Sequence, residues 1–339
     1  MKIVFMGTPD FAKESLEALY NKKYEIAAVV TNQDKQKGRG MKMTPSPVKT
    51  FAEEKGLKIF QPLKVRNNEE FIKEIKNLKP DLLCVVAYGK ILPKELLEIP
   101  KYGAINVHAS LLPKYRGAAP IQWAVLNGDK KTGITTMFMD EGMDTGDMIL
   151  KEEVEIGENE TTGELWDKLS KIGAKLLTKT VEKIDSIENK EDKNLEEIKK
   201  IIGAEKQGNE YTLAPMLKKE MAKIDWEKNS KEIKNLVRGL NPIMGAYCFL
   251  GDKKIKIWKV NNYSIEDFEN KFVLSEEEKG NIKEKENGTI IVADKKKGIF
   301  VKTGDGIIEI LELQGENGKK MDSKSFLNGN KVDIEEILK

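Results

Sequence analysis

The sequence predicts an α/β protein in which a doubly wound, mostly parallel sheet is followed by a smaller β-barrel. Three observations predict it. The first 202 residues alternate short apolar runs with helical patterns. Those runs are continuously apolar, as strands covered on both faces are. Beyond residue 203 the pattern changes to short strands bounded by Gly, Asn and Asp, the mark of a small antiparallel barrel or sandwich.

Strands are expected at 2–7, 25–31, 57–61, 81–88, 103–110 and 133–140, and helical patterns at 47–55, 68–78 and 119–127. Thr8-Pro9 offers an N-cap and a proline at the first helical position. Residues 161–201 read as helices packing on the sheet. The expected division is a catalytic domain over 1–202, an exposed linker at 203–210 (GAEKQGNE) and a barrel domain over 211–339. In the last, a helix at 230–240 precedes strands at AYCFLG, KIKIWKV, NKFVLS, GTIIVAD, GIFVKTGDG and IIEILEL, with a charged loop at 275–287. Residues 31–50 have neither period; such a long unstructured loop inside a domain is usually functional.

Composition narrows the chemistry. The 339 residues hold one histidine and two cysteines, too few for a typical zinc site, so no metal is expected. Cys84 and Cys248 lie in apolar runs and read as reduced, buried thiols, which points to the cytoplasm. No apolar stretch is long enough to span a membrane, and the first apolar run is too short for a signal peptide. Oligomeric state is not encoded in any recognisable pattern; a monomer is the default.

The candidate chemistry centres on the only histidine. In GAINVHAS, strand alternation puts Asn106 and His108 on one face and Ile105 and Val107 on the other. Two polar side chains on an apolar strand need partners, and a purely structural pair would satisfy that too. The Gly-rich stretch MDEGMDTGD (139–147) carries Asp140, Glu141, Asp144 and Asp147 directly after another strand. If the strands at 103–110 and 133–140 are neighbours, a carboxylate from it can orient the ring and stabilise an imidazolium. A plain Asp/Gly turn would look the same. No GxGxxG or GxxxxGK[ST] motif is present, so a dinucleotide or P-loop site is unsupported.

GTPDFA, VVAYGKILP, INVHASLLPKYRGAAPIQWAVLNGD and MDEGMDTGD together resemble the formyltransferases that use 10-formyltetrahydrofolate. GRG-x-K…PSPVK and IDW (224–226) narrow the resemblance to the methionyl-tRNA formyltransferases, over nearly the whole chain. The resemblance implies a Rossmann-like formyltransferase domain, an OB-like barrel and a catalytic set of Asn106, His108 and Asp144. It also implies a folate site at Ser110, Leu111, Leu112 and Pro113, with backbone around 85–88 and 139–144 against the pterin. The folate would be a consumed co-substrate and the acceptor methionyl-initiator tRNA.

On the tRNA side, the 31–50 loop carries five basic residues against one acid, and Lys37, Arg39 and Lys42 are its expected phosphate contacts. The resemblance implies that this loop engages the acceptor stem. Segment 208–260 is also basic (eleven against six acidic residues), whereas 261–339 is acidic (thirteen basic, seventeen acidic). Three rivals are a formyltransferase for a small amine such as an amino sugar or glycinamide ribonucleotide, a non-catalytic RNA binder, and a formyl-folate hydrolase. The second domain disfavours the glycinamide enzymes, and the basic loop disfavours the sugar enzymes and the hydrolase. An intact Asn106/His108/Asp144 set disfavours a mere binder.

Overall fold

The computed structural model describes residues 1–37, 41–274 and 281–339, without the side chain of Lys37. The chain divides into two compact units, 1–121, 131–155 and 166–216 in one, and 122–130, 156–165 and 217–339 in the other.

In the first unit, β1 (Lys2–Gly7) is central in a seven-stranded sheet. Its parallel neighbours are β2 (Glu25–Val30) and, in chain order after the short hairpin described below, β6 (Leu82–Val86). All five residues of β6 are buried, which is why its sequence is apolar without alternation. The hairpin strands are β3 (Lys35–Lys37) and β4 (Lys42–Thr44), and β5 (Ile59–Phe60) extends the sheet beyond β2. On the other side follow β7 (Ala104–His108), β8 (Lys131–Phe138) and β9 (Met148–Glu155), giving the order β5-β2-β1-β6-β7-β8-β9. Helices α1 (Asp10–Asn21), α2 (Pro47–Glu54), α3 (Glu69–Leu78), α4 (Lys94–Leu97), α5 (Pro120–Leu126), α6 (Thr162–Asp185) and α7 (Leu195–Ile201) connect the strands.

Several expectations change. The sheet is mixed at one side, because β8 runs antiparallel to β7 and β9 antiparallel to β8. β9 was not anticipated, its charged KEEVE half masking the strand. Residues 31–50 are not structureless: β3 and β4 pair antiparallel, with Lys37 opposite Lys42, and α2 starts at Pro47 behind a Ser46 cap. The first helix is not capped by Thr8; Pro9 holds that position, and Thr8 Oγ1 accepts from Asn32 Nδ2 instead.

In the second unit, α8 (Ser230–Gly239) precedes an antiparallel sheet of β10 (Ala246–Leu250), β11 (Lys253–Ser264), β12 (Ile290–Asp294), β13 (Gly298–Lys302) and β14 (Gly306–Gln314), ordered β10-β11-β14-β13-β12. The last residues tie the two edges together. Lys339 exchanges backbone bonds with Phe249 in β10, while Glu335 and Glu336 bond Ile290 in β12. Among the described residues of NKFVLS (270–274) the expected strand is absent. Helix α9 (Ile265–Lys271) ends there, its Ser264 cap accepting from Asp267 N, and Phe268 packs on Phe300. The short β15 (Met321–Asp322) and α10 (Ser323–Gly329) complete the unit. Of the charged loop at 275–287, residues 275–280 lie outside the described residues, and 281–287 include a buried Ile282.

Candidate active site

Because β8 is antiparallel, Phe138 at its end pairs with Ile105 near the start of β7. The acidic stretch therefore leaves from the amino half of β7 and doubles back to reach Asn106 and His108. The turn that brings it back contains Asp144 in the left-handed region, φ 56°. Gly146 fits where no side chain could, since a Cβ there would lie 1.8 Å from the Phe138 carbonyl oxygen.

Of its four carboxylates, three have other work. Asp140 accepts from Gly142 N (3.0 Å) and Thr145 Oγ1 (2.6 Å) within its own turn. Glu141 faces Lys94 at 3.5 Å, and Asp147 faces Lys199 at 3.2 Å. Asp144 is the one that meets the strand. Its Oδ2 lies 3.5 Å from His108 Nδ1 and its Oδ1 lies 3.4 Å from Asn106 Nδ2. Both separations are at the outer limit of hydrogen bonding, whereas the Gly117 amide donates to Oδ2 at 2.9 Å. The carboxylate is thus anchored from the backbone, and the two side chains are held loosely beside it.

His108 is buried, with Nε2 2.8 Å from the Tyr115 carbonyl oxygen. A carbonyl can only accept, so Nε2 carries a proton and donates it. That fixes the ring plane and leaves Nδ1 facing Asp144. Tyr115, like Asp144, is in the left-handed region, at φ 62°. Such a conformation costs on the order of 1 kcal/mol or more and persists only where the surroundings enforce it.

Ser110, Leu111, Leu112 and Pro113 form the strand exit. Thr135 Oγ1 donates to Ser110 O (2.7 Å) and accepts from Leu112 N (3.1 Å), while Ser110 Oγ donates to Lys114 O at 2.5 Å. Ser110 and Leu112 are buried; Leu111 and Pro113 are half-exposed. None of the four lines the cavity beside Asp144. That cavity, about 150 Å³, has Lys90, Ile91 and Leu92 on one wall and 139–144 on the other, with Met137 between. Ile91 and Met143 are exposed at its edges. Among the described residues no group of His, Cys, Asp or Glu is arranged to hold a metal ion.

Sequence reasoning missed three contributors: the Gly117 amide, the Tyr115 carbonyl and Gln207. The first two sit in PKYRG, where a glycine at φ 122° was the available signal. Gln207 carries no local signal at all. On the nucleic-acid side, the backbone of Lys37 and Lys42 forms the pair at the turn end of the β3–β4 hairpin, Lys42 is exposed, and Arg39 lies outside the described residues.

Comparison with known proteins gives the family. Residues 1–181 match the formyl transferase family and residues 216–331 match the formyl transferase C-terminal domain. The chain is 47% identical over 339 residues to a methionyl-tRNA formyltransferase of Caldanaerobacter subterraneus subsp. tengcongensis, covering all of both chains. It is 49% identical over 340 residues to that of Clostridium perfringens, again covering both completely. Among solved structures, HypX from Aquifex aeolicus in complex with tetrahydrofolic acid aligns with a TM-score of 0.62 at 15% identity, over 98% of this chain and 50% of that one. The sugar 3N-formyltransferase WlaRD aligns with a TM-score of 0.59 at 20% identity, over 91% and 97%. At these identities the two structures bear on the fold alone. With a family match over more than half its length and full-length relatives close to half identical, the chain belongs to the formyl transferase family, among the methionyl-tRNA formyltransferases.

Proposed function

We propose that this chain transfers the formyl group of 10-formyltetrahydrofolate to the amino group of methionyl-initiator tRNA, with Asn106, His108 and Asp144 as its catalytic residues. The observation that carries it is the single carboxylate of Asp144, fixed by Gly117 and facing both His108 and Asn106. In the reaction the methionyl amine bonds to the formyl carbon and the bond from that carbon to the folate nitrogen breaks. The proton lost by the amine ends on that nitrogen.

Charge develops on the formyl oxygen as the amine adds. Asn106 Nδ2 and a protonated His108 Nδ1 make only long contacts with Asp144, which leaves both free to share their protons with that oxygen. Removing such a donor costs about 3 kcal/mol or more in the barrier. Nε2 cannot serve directly while it donates to Tyr115 O, so the catalytic donor is Nδ1. Asp144 then keeps the ring in register and balances the imidazolium charge.

The cavity lined by Lys90–Leu92, Met137 and 139–144 suits the folate head: Ile91, Leu92, Met139 and Met143 supply apolar walls, and the backbone of 139–144 supplies polar groups for an N–H-rich ring. Leu111 and Pro113, half-exposed just after His108 in sequence, would extend that site, with Ser110 and Leu112 supporting it. Lys37, Arg39 and Lys42 would neutralise tRNA phosphates. In this reading residues 1–202 carry the catalysis, 203–210 run on from them along the same unit, and 211–339 carry the tRNA-binding barrel; the enzyme acts as a cytoplasmic monomer.

The test is a substrate panel: 10-formyltetrahydrofolate with charged initiator tRNA, charged elongator tRNA, an amino sugar nucleotide or glycinamide ribonucleotide. Formylation of the methionyl initiator well above the others is expected. Preference for a small amine would overturn the proposal.

A further inference from the structure

Resting on the catalytic roles given above to His108 and Asp144, we propose that residues 205–214 form a strap that positions both, with Gln207 and Thr212 as its positioning residues. By composition this stretch is a linker: Glu205, Lys206, Gly208, Asn209 and Glu210 are all exposed. Its bonding is not that of a linker.

The strap is first fastened to β9, where Glu205 and Met148 exchange both backbone bonds at 2.8 Å. Gln207 then turns inward and uses every polar atom of its side chain. Nε2 donates to the carbonyl oxygens of Asp144 (2.7 Å) and Gly146 (2.9 Å), and Oε1 accepts from Arg116 Nε at 2.8 Å. One amide thus holds the left-handed turn that presents the Asp144 carboxylate.

Thr212 holds the other partner. Its Oγ1 accepts from Tyr115 N (2.8 Å) and its carbonyl accepts from Arg116 N (2.8 Å). Ala214 N returns a bond to Arg116 O at 2.7 Å. Tyr115, left-handed and enforced from the strap, gives its own carbonyl to His108 Nε2. Between the two fastenings the Arg116 guanidinium lies over the Tyr211 ring, 4.5 Å from its centroid. His108 ends β7 and Asp144 lies in the turn after β8; the strap reaches Asp144 through Gln207 and His108 through Thr212 and Tyr115. Their separation is therefore set by Gln207 and Thr212.

Neither residue lines the cavity beside Asp144, so their loss should appear in turnover rather than in binding. The test compares Thr212→Val, which cannot accept from Tyr115 N, with Thr212→Ser, which can. Gln207→Glu is the isosteric partner experiment, setting an oxygen against two carbonyl oxygens while keeping a group for Arg116. Because His108 is the only histidine, nitrogen-15 labelling of histidine gives one imidazole signal pair that reports on it alone.

Thr212→Val and Gln207→Glu should lower kcat about tenfold to hundredfold, the scale of an ångström-sized misplacement, with KM for both substrates nearly unchanged. The His108 ring signals should move in Thr212→Val and return in Thr212→Ser, together with turnover. Unchanged kcat with unmoved ring signals, or a loss confined to KM, would overturn the proposal. If Thr212→Val fails to fold, Gln207→Glu carries the same kcat-against-KM comparison. A His108→Ala control separates the two levels: turnover surviving there defeats the catalytic assignment, whereas an inactive control beside wild-type behaviour of both strap variants defeats the strap alone.

Discussion

The amide of Gly117 donates to Asp144 Oδ2 at 2.9 Å, the shortest bond that this carboxylate makes among the described residues. Asp144 is therefore held from a second loop, and its contacts with Asn106 and His108 are left long. Gly117 can do this because its φ is 122°, and a Cβ there would stand 2.8 Å from the Ala214 carbonyl oxygen. Gly117→Ala should cost about 1–3 kcal/mol of stability and reduce turnover beyond what that loss explains. Thermal unfolding and kcat measured on the same preparation check it.

Asp144→Asn keeps the shape of the side chain and removes its charge. The Gly117 anchor survives, because an amide oxygen can accept the same bond. Turnover should fall roughly a hundredfold or more, while folate affinity changes little. Single-turnover formyl transfer beside equilibrium binding of the folate separates the two. A parallel loss of both would assign Asp144 to folate binding instead.

The base of the β3–β4 hairpin is pinned by Asp34, whose Oδ2 accepts from Lys49 Nζ (2.7 Å) and Oδ1 from Gln61 Nε2 (2.8 Å). The Lys49 bond, aided by Gln61, lowers the Asp34 carboxyl from its ordinary value of 3.8. A carboxyl lowered on folding stabilises the folded form above its unfolded value and loses that contribution as pH falls through the folded one. The hairpin should loosen only in acid, below about pH 4. Pepsin cleavage within 35–44 should rise steeply there for the wild type. Asp34→Asn should be cleaved faster throughout and show less dependence on pH.

If the hairpin engages tRNA phosphates, Arg39→Ala and Lys42→Ala should raise KM for tRNA and leave folate binding intact. Each removed phosphate contact should also flatten the salt dependence of tRNA affinity by about one unit of slope or less. Binding measured across a salt series checks both points. An unchanged slope with weaker folate binding would move the loop to the folate site.

Much of this fold is legible in the sequence because burial leaves a local trace. The apolar runs at β1, β2, β6 and β7 and the helices at 47–54, 69–78 and 230–239 follow directly from period and caps. What escaped depends on partners distant in the chain. β9 hides under Lys and Glu because alternate residues face outward, and α9 was lost because Val273 and Leu274 beyond it imitate a strand. The 31–50 hairpin is only three pairs long, too short for any period. At the site, strand alternation found Asn106 and His108, and it left four carboxylates to choose from. The family resemblance points to Asp144, and the turn geometry, with Lys94 and Lys199 drawing Glu141 and Asp147 away, brings that carboxylate to the strand. Gln207 lies 63 residues from Asp144, and nothing in its neighbours predicts the bond.

The most direct test of the account is single-turnover transfer of the formyl group from 10-formyltetrahydrofolate to methionyl-initiator tRNA by the wild type and His108→Ala. The account predicts transfer by the wild type, a loss of roughly a hundredfold or more in the variant, and near-equal binding of both substrates. Transfer that survives the removal of His108, or a wild type that does not formylate the initiator, would contradict it.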